Sequence, residues 1–304
     1  MARSNRVTLK EMDYLSPGKK ARLYRMLYQY GPANGTLLFL PYDHGMEHGP
    51  MDFYENPTSV FESLDPEFIF RLAVEGGYSG VATHFGLASK YYPKYAGKVP
   101  LILKLNGKTN IPSDVQAFSP LTSHVEDAVR LGADAVGYTL YVGTPRQDED
   151  MLQLNQVRRD CDKYGMPLII WSYPRGEAIE KKGGRDSFYA VDYAARMASE
   201  MGADLIKLNL PKFDRIHESP KPYNEIKLET KAALQKVIQS AGKSMVLLSG
   251  GSKLSDTDAI AKARIAFEAG ATGLLFGRNM WQRAYEDALD ITRKMKEMVK
   301  EFSV

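Results

Sequence analysis

The sequence predicts an α/β protein in which eight parallel strands alternate with helices and close into a (β/α)8 barrel, or TIM barrel, with an N-terminal helical extension. Three observations predict this fold class. Eight short apolar segments recur along the 304 residues, helical patterns separate most of them, and four of the helix-to-strand junctions resemble one another. An open doubly wound sheet would show the same alternation, but the count of eight favours a closed barrel.

The predicted strands are rich in Val, Ile, Leu and Tyr, and most are continuously apolar, as is typical of strands covered on both faces. They span residues 37–42, 78–83, 99–105, 134–140, 167–173, 204–210, 244–249 and 272–277. The helices between them are predicted at 65–76, 122–132, 148–165, 187–202, 224–242 and 255–270. Each helix begins near a capping residue and stops at a glycine. Such alternation implies parallel pairing through right-handed crossovers.

The segments outside this repeat are predicted to extend one domain rather than to form a second. The barrel is expected over residues 37–285, after an N-terminal extension over 1–36 and before a C-terminal helix over 286–304. A helix near 19–30 is expected to pack against the bottom of the barrel or against a neighbouring subunit. The long connections at 44–66 and 211–223 contain Gly, Pro and charged residues, which favours active-site loops or lids.

Composition and charge exclude several classes of protein. The 40 Lys and Arg residues and 37 Asp and Glu residues give a net charge of +3 and are interspersed, which does not indicate a nucleic-acid-binding surface. Cys161 is the only cysteine, so the chain cannot form an internal disulfide or a Cys-rich metal site. No segment approaches the roughly 18 apolar residues of a membrane span, and the first ten residues lack the apolar core of a signal peptide. We therefore expect a cytoplasmic protein that binds neither nucleic acid nor a membrane.

Polar residues at the C-terminal ends of the predicted strands are the candidates for an active site, because the βα loops of such barrels converge there. They are Asp43, His44, Lys104, Asn106, Tyr138, Trp171, Tyr173, Arg175, Lys207, Asn209, Ser249, Gly250, Gly251, Ser252, Gly277 and Arg278.

Lys207 is the candidate nucleophile. It lies within the apolar segment 204–210, where an ammonium group is costly unless it is paired or neutral. Lowering the pKa of a lysine from about 10.4 to about 7–8 corresponds to roughly 4 kcal/mol in favour of the nucleophilic neutral amine. A buried ion pair with Asp43 is the alternative, and Lys104 is a rival of the same kind.

Two glycine-containing segments predict a phosphate site. Residues 249–253 (SGGSK) precede a predicted helix, and residues 276–279 (FGRN) follow the last strand. Glycines let backbone N–H groups approach an anion closely, and barrels commonly bind phosphate with the loops after strands seven and eight. Ordinary turn chemistry is the alternative, but two such loops at the same end of the barrel favour phosphate.

Trp171, Tyr173 and Arg175 are spaced two apart, so they face the same side of the fifth predicted strand. They are expected to line the cavity, although the two aromatic residues can equally fill the core. A tyrosine near a lysine-derived iminium can exchange a proton with the substrate, because a nearby positive charge is expected to lower its pKa.

Residues 44–48 match the H-x-x-E-H pattern of a class of zinc proteases, in which two histidines bind the metal from one helix face. Gly45, Gly49 and Pro50 argue against a stable helix at this place. We therefore interpret the segment as a loop of substrate-binding side chains and expect no metal.

Five motifs resemble those of the archaeal-type class I fructose-bisphosphate aldolases, in the correct order along residues 37 to 285. They are residues 41–50 (PYDHGMEHGP), 104–109 (KLNGKT), 171–176 (WSYPRG), 206–209 (IKLN) and 249–251 (SGG). The resemblance implies a (β/α)8 fold, a Schiff-base mechanism without a metal or other cofactor, and a homo-oligomer, often a decamer. It makes Lys207 the Schiff-base lysine, Tyr173 the proton donor and acceptor, and Asp43 the carboxylate that assists a substrate hydroxyl.

The remaining site residues are expected to bind substrate. They are His44, His48, Trp171, Arg175 and Asn209, with Ser249, Gly250, Gly251, Gly277 and Arg278 holding a phosphate. The implied reaction is the reversible cleavage of fructose 1,6-bisphosphate to dihydroxyacetone phosphate and glyceraldehyde 3-phosphate. A related lysine-dependent aldolase or transaldolase-like enzyme for another ketose phosphate or deoxy-sugar phosphate is the first alternative, and a non-catalytic sugar-phosphate binding protein is the second. Residues 51–66 and 211–223 are longer than in the shortest members of the family.

Overall fold

In the computed structural model, which describes residues 6–303, eight parallel strands form a closed barrel. Its strands are β1 (Leu37–Pro41), β4 (Gly80–His84), β5 (Leu101–Lys104), β6 (Ala135–Val142), β7 (Leu168–Pro174), β8 (Leu205–Leu208), β9 (Met245–Ser249) and β10 (Gly273–Leu275). The order around the barrel is β1-β10-β9-β8-β7-β6-β5-β4, and the pairing of β1 with β4 closes it. All eight predicted strands are present, and the prediction of a (β/α)8 barrel is confirmed.

Helices surround the barrel. They are α1 (Pro17–Tyr24), α2 (His44–Glu47), α3 (Pro66–Glu75), α4 (Phe85–Tyr91), α5 (Val125–Arg130), α6 (Gln147–Tyr164), α7 (Glu177–Glu180), α8 (Phe188–Glu200), α9 (Thr230–Ser240), α10 (Asp256–Ala269), α11 (Arg278–Trp281) and α12 (Tyr285–Lys300). The capping signals act as predicted in α10, where the Ser255 hydroxyl accepts from the Asp258 N–H and Gly270 ends the helix at φ 105°. The helix predicted at 224–242 begins only at Thr230, because Tyr223–Glu225 forms a separate 3-10 turn.

Two structural features differ from the sequence expectations. A single helical turn, α2, forms at His44–Glu47 despite its glycine. The prolonged connection that follows contains a small antiparallel hairpin of β2 (Tyr54–Asn56) and β3 (Ser59–Val60). None of the helices within residues 6–303 combines the length and apolar character needed to cross a membrane.

The core has two layers because successive strand residues point to opposite sides of the barrel wall. Outward-facing residues such as Leu38 and Leu40 pack against the helices. Inward-facing residues such as Leu37 and Phe39 instead share a cluster with residues of the N-terminal extension, which are Met12, Leu15, Leu23, Met26 and Leu27. The N-terminal extension therefore packs against the bottom of the barrel, one of the two positions predicted for it.

Ion pairs fasten this extension to the barrel. Lys19 Nζ lies 3.0 Å from carboxylate oxygens of both Asp162 and Asp204, and Arg25 pairs with Asp134. Asp134 and Asp204 directly precede β6 and β8. The N-terminal end of the barrel is thus closed by side chains, and the opposite end is left for ligands.

Candidate active site

A cavity of about 770 Å³ lies at the C-terminal end of the strands. Of the residues expected to be catalytic or to bind substrate, all except Trp171 line it: Asp43, His44, His48, Tyr173, Arg175, Lys207, Asn209, Ser249, Gly250, Gly251, Gly277 and Arg278. Asn106 and Tyr138, two of the initial candidates, are instead fully buried and bonded to neighbouring protein groups. The structure therefore brings the predicted site together from β1, β7, β8, β9 and β10.

Lys207 points into this cavity without a carboxylate partner. Its position on β8 pairs it with Trp171 of β7, and its Nζ lies 5.3 Å from the Tyr173 ring centroid. It makes no ion pair within residues 6–303. Burial lowers the pKa of Lys207 from 10.5 to about 8, against the opposing charges of Asp43 and Glu47. With such a pKa, about a tenth of the amine is neutral at pH 7.

Lys104 is also buried, but unlike Lys207 it is paired with carboxylates. Its side chain is fully buried, and its Nζ forms ion pairs with Glu47 and, at 3.4 Å, with Asp43. Burial alone would lower the pKa of Lys104, but these two carboxylates raise it above 10.5. Asp43 thus pairs with Lys104 rather than with Lys207, and Lys104 keeps its proton. The geometry supports Lys207, not its rival, as the nucleophile.

Asp43 remains ionised in this environment. Burial would raise the pKa of its carboxyl group, but nearby positive charge, above all that of Lys104, holds that pKa well below its usual range. Its Oδ2 atom is buried and makes no hydrogen bond within the described residues. A charged carboxylate oxygen in such a position can accept a proton or a hydrogen bond from a ligand hydroxyl.

Tyr173 holds its proton firmly. Burial, followed by the negative charges of Glu47 and Asp43, raises the pKa of Tyr173 far above 10, because these contributions outweigh the positive charges of Lys104 and Arg175. The lowering of its pKa beside a lysine-derived iminium stays a prediction. A protonated phenol beside Lys207 is suited to donate a proton.

Trp171 lies beneath the two lysines. Its side chain is fully buried, and its ring centroid is 5.1 Å from Lys104 Nζ and 5.5 Å from Lys207 Nζ. Its position supports both ammonium groups through cation–π contacts and does not place it on the wall of the cavity. The expected contact between Trp171 and substrate stays a prediction.

The two glycine loops lie side by side after β9 and β10. Gly251 has φ +74°, a conformation that favours glycine, and a Cβ atom at Gly277 would approach His44 Cε1 to 2.6 Å. Asn279 holds the first loop in place by accepting from Leu254 N at 2.7 Å. The backbone is thus open to a ligand at this corner, as the phosphate hypothesis requires.

Lys262 is a residue of this corner that the sequence did not reveal. It projects from α10, and its Nζ donates a hydrogen bond to Gly250 O at 2.9 Å. Burial lowers the pKa of Lys262 to about 8. An incoming phosphate would favour its charged form. No sequence pattern marks it, since it follows the glycine loop by two helical turns.

The histidines of the H-x-x-E-H segment adopt a different arrangement from that of a zinc protease. Glu47 turns towards Lys104, while His48 Nδ1 lies 2.7 Å from Asp52 Oδ2. Burial lowers the pKa of His44 to about 3, so its ring is neutral. His44, His48 and Asp52 each offer an atom within 4.8 Å of the others, a spacing that can hold a metal ion. Arg278 lies 3.7 Å from Asp52 and opposes a cation there.

Three cations face the cavity near the ends of β5 and β7. Lys108, Arg175 and Arg185 surround Asp114, at N to O distances of 2.9, 3.0 and 3.9 Å. The sequence identified only Arg175, because the other three residues lie in loops that meet only in the folded chain.

Comparisons with known proteins agree with this geometry. A family model described as DeoC/LacD family aldolase matches residues 37–283. The class 1 fructose-bisphosphate aldolase of Thermoproteus tenax is similar, with 41% identity over 87% of this chain and 90% of the relative. A 2-amino-3,7-dideoxy-D-threo-hept-6-ulosonate synthase of Halobacterium salinarum is 30% identical over 90% of this chain and 88% of the relative.

A solved structure is also similar. It is an archaeal fructose-1,6-bisphosphate aldolase whose catalytic lysine is covalently bound to the carbinolamine intermediate of the substrate. The two chains are 38% identical with a TM-score of 0.76, over 91% of this chain and 99% of the other. Since the family model spans the whole barrel and the relatives match over most of their length, this chain belongs to the DeoC/LacD family of aldolases.

Proposed function

We propose that the protein is a class I, Schiff-base fructose-1,6-bisphosphate aldolase. The observation that carries the proposal is the unpaired amine of Lys207, which is shifted towards its neutral form and lines the same cavity as the charged carboxylate of Asp43 and the protonated phenol of Tyr173. The similarity to relatives that bear this name supports the choice of substrate.

In the proposed reaction, Lys207 Nζ attacks the C2 carbonyl of the sugar, and loss of water from the carbinolamine gives an iminium. The iminium draws electrons from the C3–C4 bond, which breaks as the C4 hydroxyl loses its proton to Asp43. Glyceraldehyde 3-phosphate leaves, Tyr173 protonates C3 of the enamine, and water hydrolyses the iminium to free dihydroxyacetone phosphate. Transfer of the proton from Asp43 to the Tyr173 phenolate restores both groups. Lys104 stays charged beside Asp43 and favours its ionised form.

The cavity has a cationic region at each side, which supports a substrate with two phosphates. The glycine loops after β9 and β10, with Arg278 and Lys262, form one region. The cluster around Arg175 forms the other. His44, His48 and Asn209 line the space between them and are proposed to contact sugar hydroxyls. We further propose a cytoplasmic homo-oligomer that takes part in glycolysis or gluconeogenesis.

Borohydride trapping tests the assignment of the nucleophile. The protein is incubated with dihydroxyacetone phosphate, reduced with borohydride and digested, and the modified peptide is identified by mass spectrometry. We expect the adduct on Lys207 and full cleavage of fructose 1,6-bisphosphate in the presence of a chelator. An adduct on Lys104 would contradict the assignment, and no adduct together with loss of activity on chelation would favour a metal at His44, His48 and Asp52.

A deoxy-sugar synthase is the second candidate, because the Halobacterium salinarum relative of that name matches over most of the chain. The two candidates share the lysine chemistry and differ in substrate. Release of triose phosphates from fructose 1,6-bisphosphate favours the aldolase. Adduct formation on Lys207 without such release favours the synthase, and binding of the sugar with neither result would indicate a non-catalytic protein.

A further inference from the structure

We propose that Asp114 occupies the binding site for the second phosphate of a bisphosphate substrate, so that the substrate must displace its carboxylate to bind. The proposal rests on the proposed function and makes Asp114 a residue that determines the preference between sugar bisphosphates and monophosphates.

One carboxylate here contacts three cations. Lys108 Nζ lies 2.9 Å from Asp114 Oδ1, Arg175 Nε donates to Oδ2 at 3.0 Å, and Arg185 lies 3.9 Å from the same oxygen. The Lys108 and Arg175 side chains are 15% and 18% exposed, so their charges are partly desolvated. Removing the carboxylate leaves three positive charges, and a phosphate dianion is a ligand that suits such a cluster.

The place of this cluster in the barrel matches one end of an extended bisphosphate. Its cations follow β5 and β7, the two neighbours of β6. The glycine loops follow β9 and β10, which lie across the barrel from β5 and β6, and Lys207 of β8 is between the two regions. A sugar bound covalently at its C2 atom to Lys207 can therefore direct one phosphate to each region.

Asp114 can move aside without unfolding an element. It begins a 3-10 turn of three residues, Asp114–Gln116, in the connection between β5 and α5. Asp114 also borders a second cavity of about 630 Å³, which is lined by Arg215 and Lys181 and by the carboxylates of Glu177, Glu180 and Glu218. Rotation towards that cavity would leave the first three cations to the phosphate, although the carboxylates there oppose it.

Competition by the Asp114 carboxylate should lower the apparent affinity for the second phosphate. When a binding site is open in only a fraction of the molecules, the apparent affinity for its ligand falls by that fraction. A monophosphate that binds only at the glycine loops does not compete with Asp114, because it does not use the second phosphate site. The contact of Asp114 should therefore raise the KM for the bisphosphate selectively.

The test compares fructose 1,6-bisphosphate with fructose 1-phosphate, which both release dihydroxyacetone phosphate. We expect Asp114→Asn to lower the KM for the bisphosphate about fivefold relative to the KM for the monophosphate, since the site is then open in nearly all molecules. Arg185→Met should change the ratio in the opposite direction, because it removes a ligand of the phosphate but not the competitor. Asp148→Asn removes an exposed carboxylate from the start of α6 and is the matched control for net charge.

The results separate this proposal from the proposed function. If the wild-type protein releases no triose phosphate from fructose 1,6-bisphosphate, the proposed function is wrong. If it cleaves the bisphosphate but Asp114→Asn leaves the ratio of the two KM values unchanged, raises it, or shifts it no more than Asp148→Asn does, the role of Asp114 is overturned and the aldolase assignment stands.

Discussion

Lys104 and Lys207 both lie near the indole ring of Trp171, yet their surroundings shift their pKa values in opposite directions. Lys104 has two carboxylate neighbours that keep it protonated, whereas Lys207 has none within 4.0 Å among residues 6–303. The charge of Lys104 also contributes to the lowered pKa of Lys207. A buried charge that is stabilised by partners thus helps to lower the pKa of its unpartnered neighbour, which increases the fraction in the neutral, nucleophilic form.

The first prediction concerns Lys207, the proposed nucleophile, and Tyr173, the proposed proton donor. Lys207→Met should abolish turnover, because it removes the amine proposed to form the imine. Tyr173→Phe should still form the borohydride-trapped adduct but lose at least about a hundredfold in kcat, as is usual when a positioned proton donor is removed. Rapid turnover by the Phe variant would remove Tyr173 from this role.

The second prediction is a pH dependence of imine formation. The neutral form of Lys207 reacts, and its pKa is about 8, so the rate of borohydride-trapped adduct formation should rise with pH through about 8. Lys104→Met removes a positive charge and releases two carboxylates, both of which favour the ammonium form of Lys207. The midpoint should therefore move to higher pH in this variant, and an unchanged or lower midpoint would contradict the coupling of the two lysines.

The sequence revealed residues whose chemistry conflicts with their local surroundings. Lys207 was found because a charge lies within an apolar strand, and the glycine loops because two of them follow adjacent strands. The sequence did not predict a role in the site for four other residues, because their roles depend on neighbours far away in the chain. These are Glu47, Asp114, Arg185 and Lys262. The raised pKa of Tyr173 could not be predicted for the same reason, since it depends on carboxylates that only the fold brings close.

The short elements at the C-terminal end of the barrel set the shape of the site. α2 and α11 have four residues each, and they bring His44 and Arg278 to the cavity. Helices of this length are not stable alone, so their geometry comes from packing. Phe53, for example, stacks on Trp281 of α11 at a centroid distance of 5.3 Å.

The third prediction tests the close approach between these two helices. Gly277→Ala places a methyl group 2.6 Å from His44 Cε1, so the ring must move and the phosphate corner narrows. We expect a rise in the KM for phosphorylated substrates by at least about tenfold, because even small displacements in a binding site are costly. Gly86→Ala is the matched control, since its Cβ would meet nothing within 4 Å, and normal kinetics are expected for it.

Long elements were predicted better than short ones. The eight strands and six of the helices follow from apolar runs, capping residues and terminal glycines. α4 was missed, because its seven residues (FGLASKY) contain a glycine and lack a polar cap. The single turn α2 was also missed, since its stability comes from contacts with distant residues and not from its own helix propensity.

At the scale of the whole molecule, the N-terminal extension completes the core. Met12, Leu23 and Met26 are fully buried, and they share one cluster with the inward-facing strand residues. Because this packing lies at the end of the barrel away from the cavity, it should contribute to stability and not to catalysis.

The fourth prediction follows from this separation. Met26→Ala should lower the free energy of unfolding by about 2–5 kcal/mol, the usual range for deletion of a large buried side chain. Lys10→Ala, at an exposed position of the same extension, should change it by no more than about 0.5 kcal/mol. Chemical denaturation measures both values. The kcat of the folded Met26→Ala protein should equal that of the wild type, and a marked loss would mean that the extension also influences the site.

The side chains that fill the bottom of the barrel also determine how substrate and products enter and leave. Since that end is filled, the sugar must enter and both trioses must leave through the opening at the C-terminal end of the strands, past the glycine loops and Asp114. In the proposed mechanism, the fragment that carries the aldehyde is not attached to the protein and can diffuse out at once, whereas its companion stays bound covalently to Lys207 until water releases it. A single exit combined with a covalent tether therefore imposes an order of product departure, with glyceraldehyde 3-phosphate first.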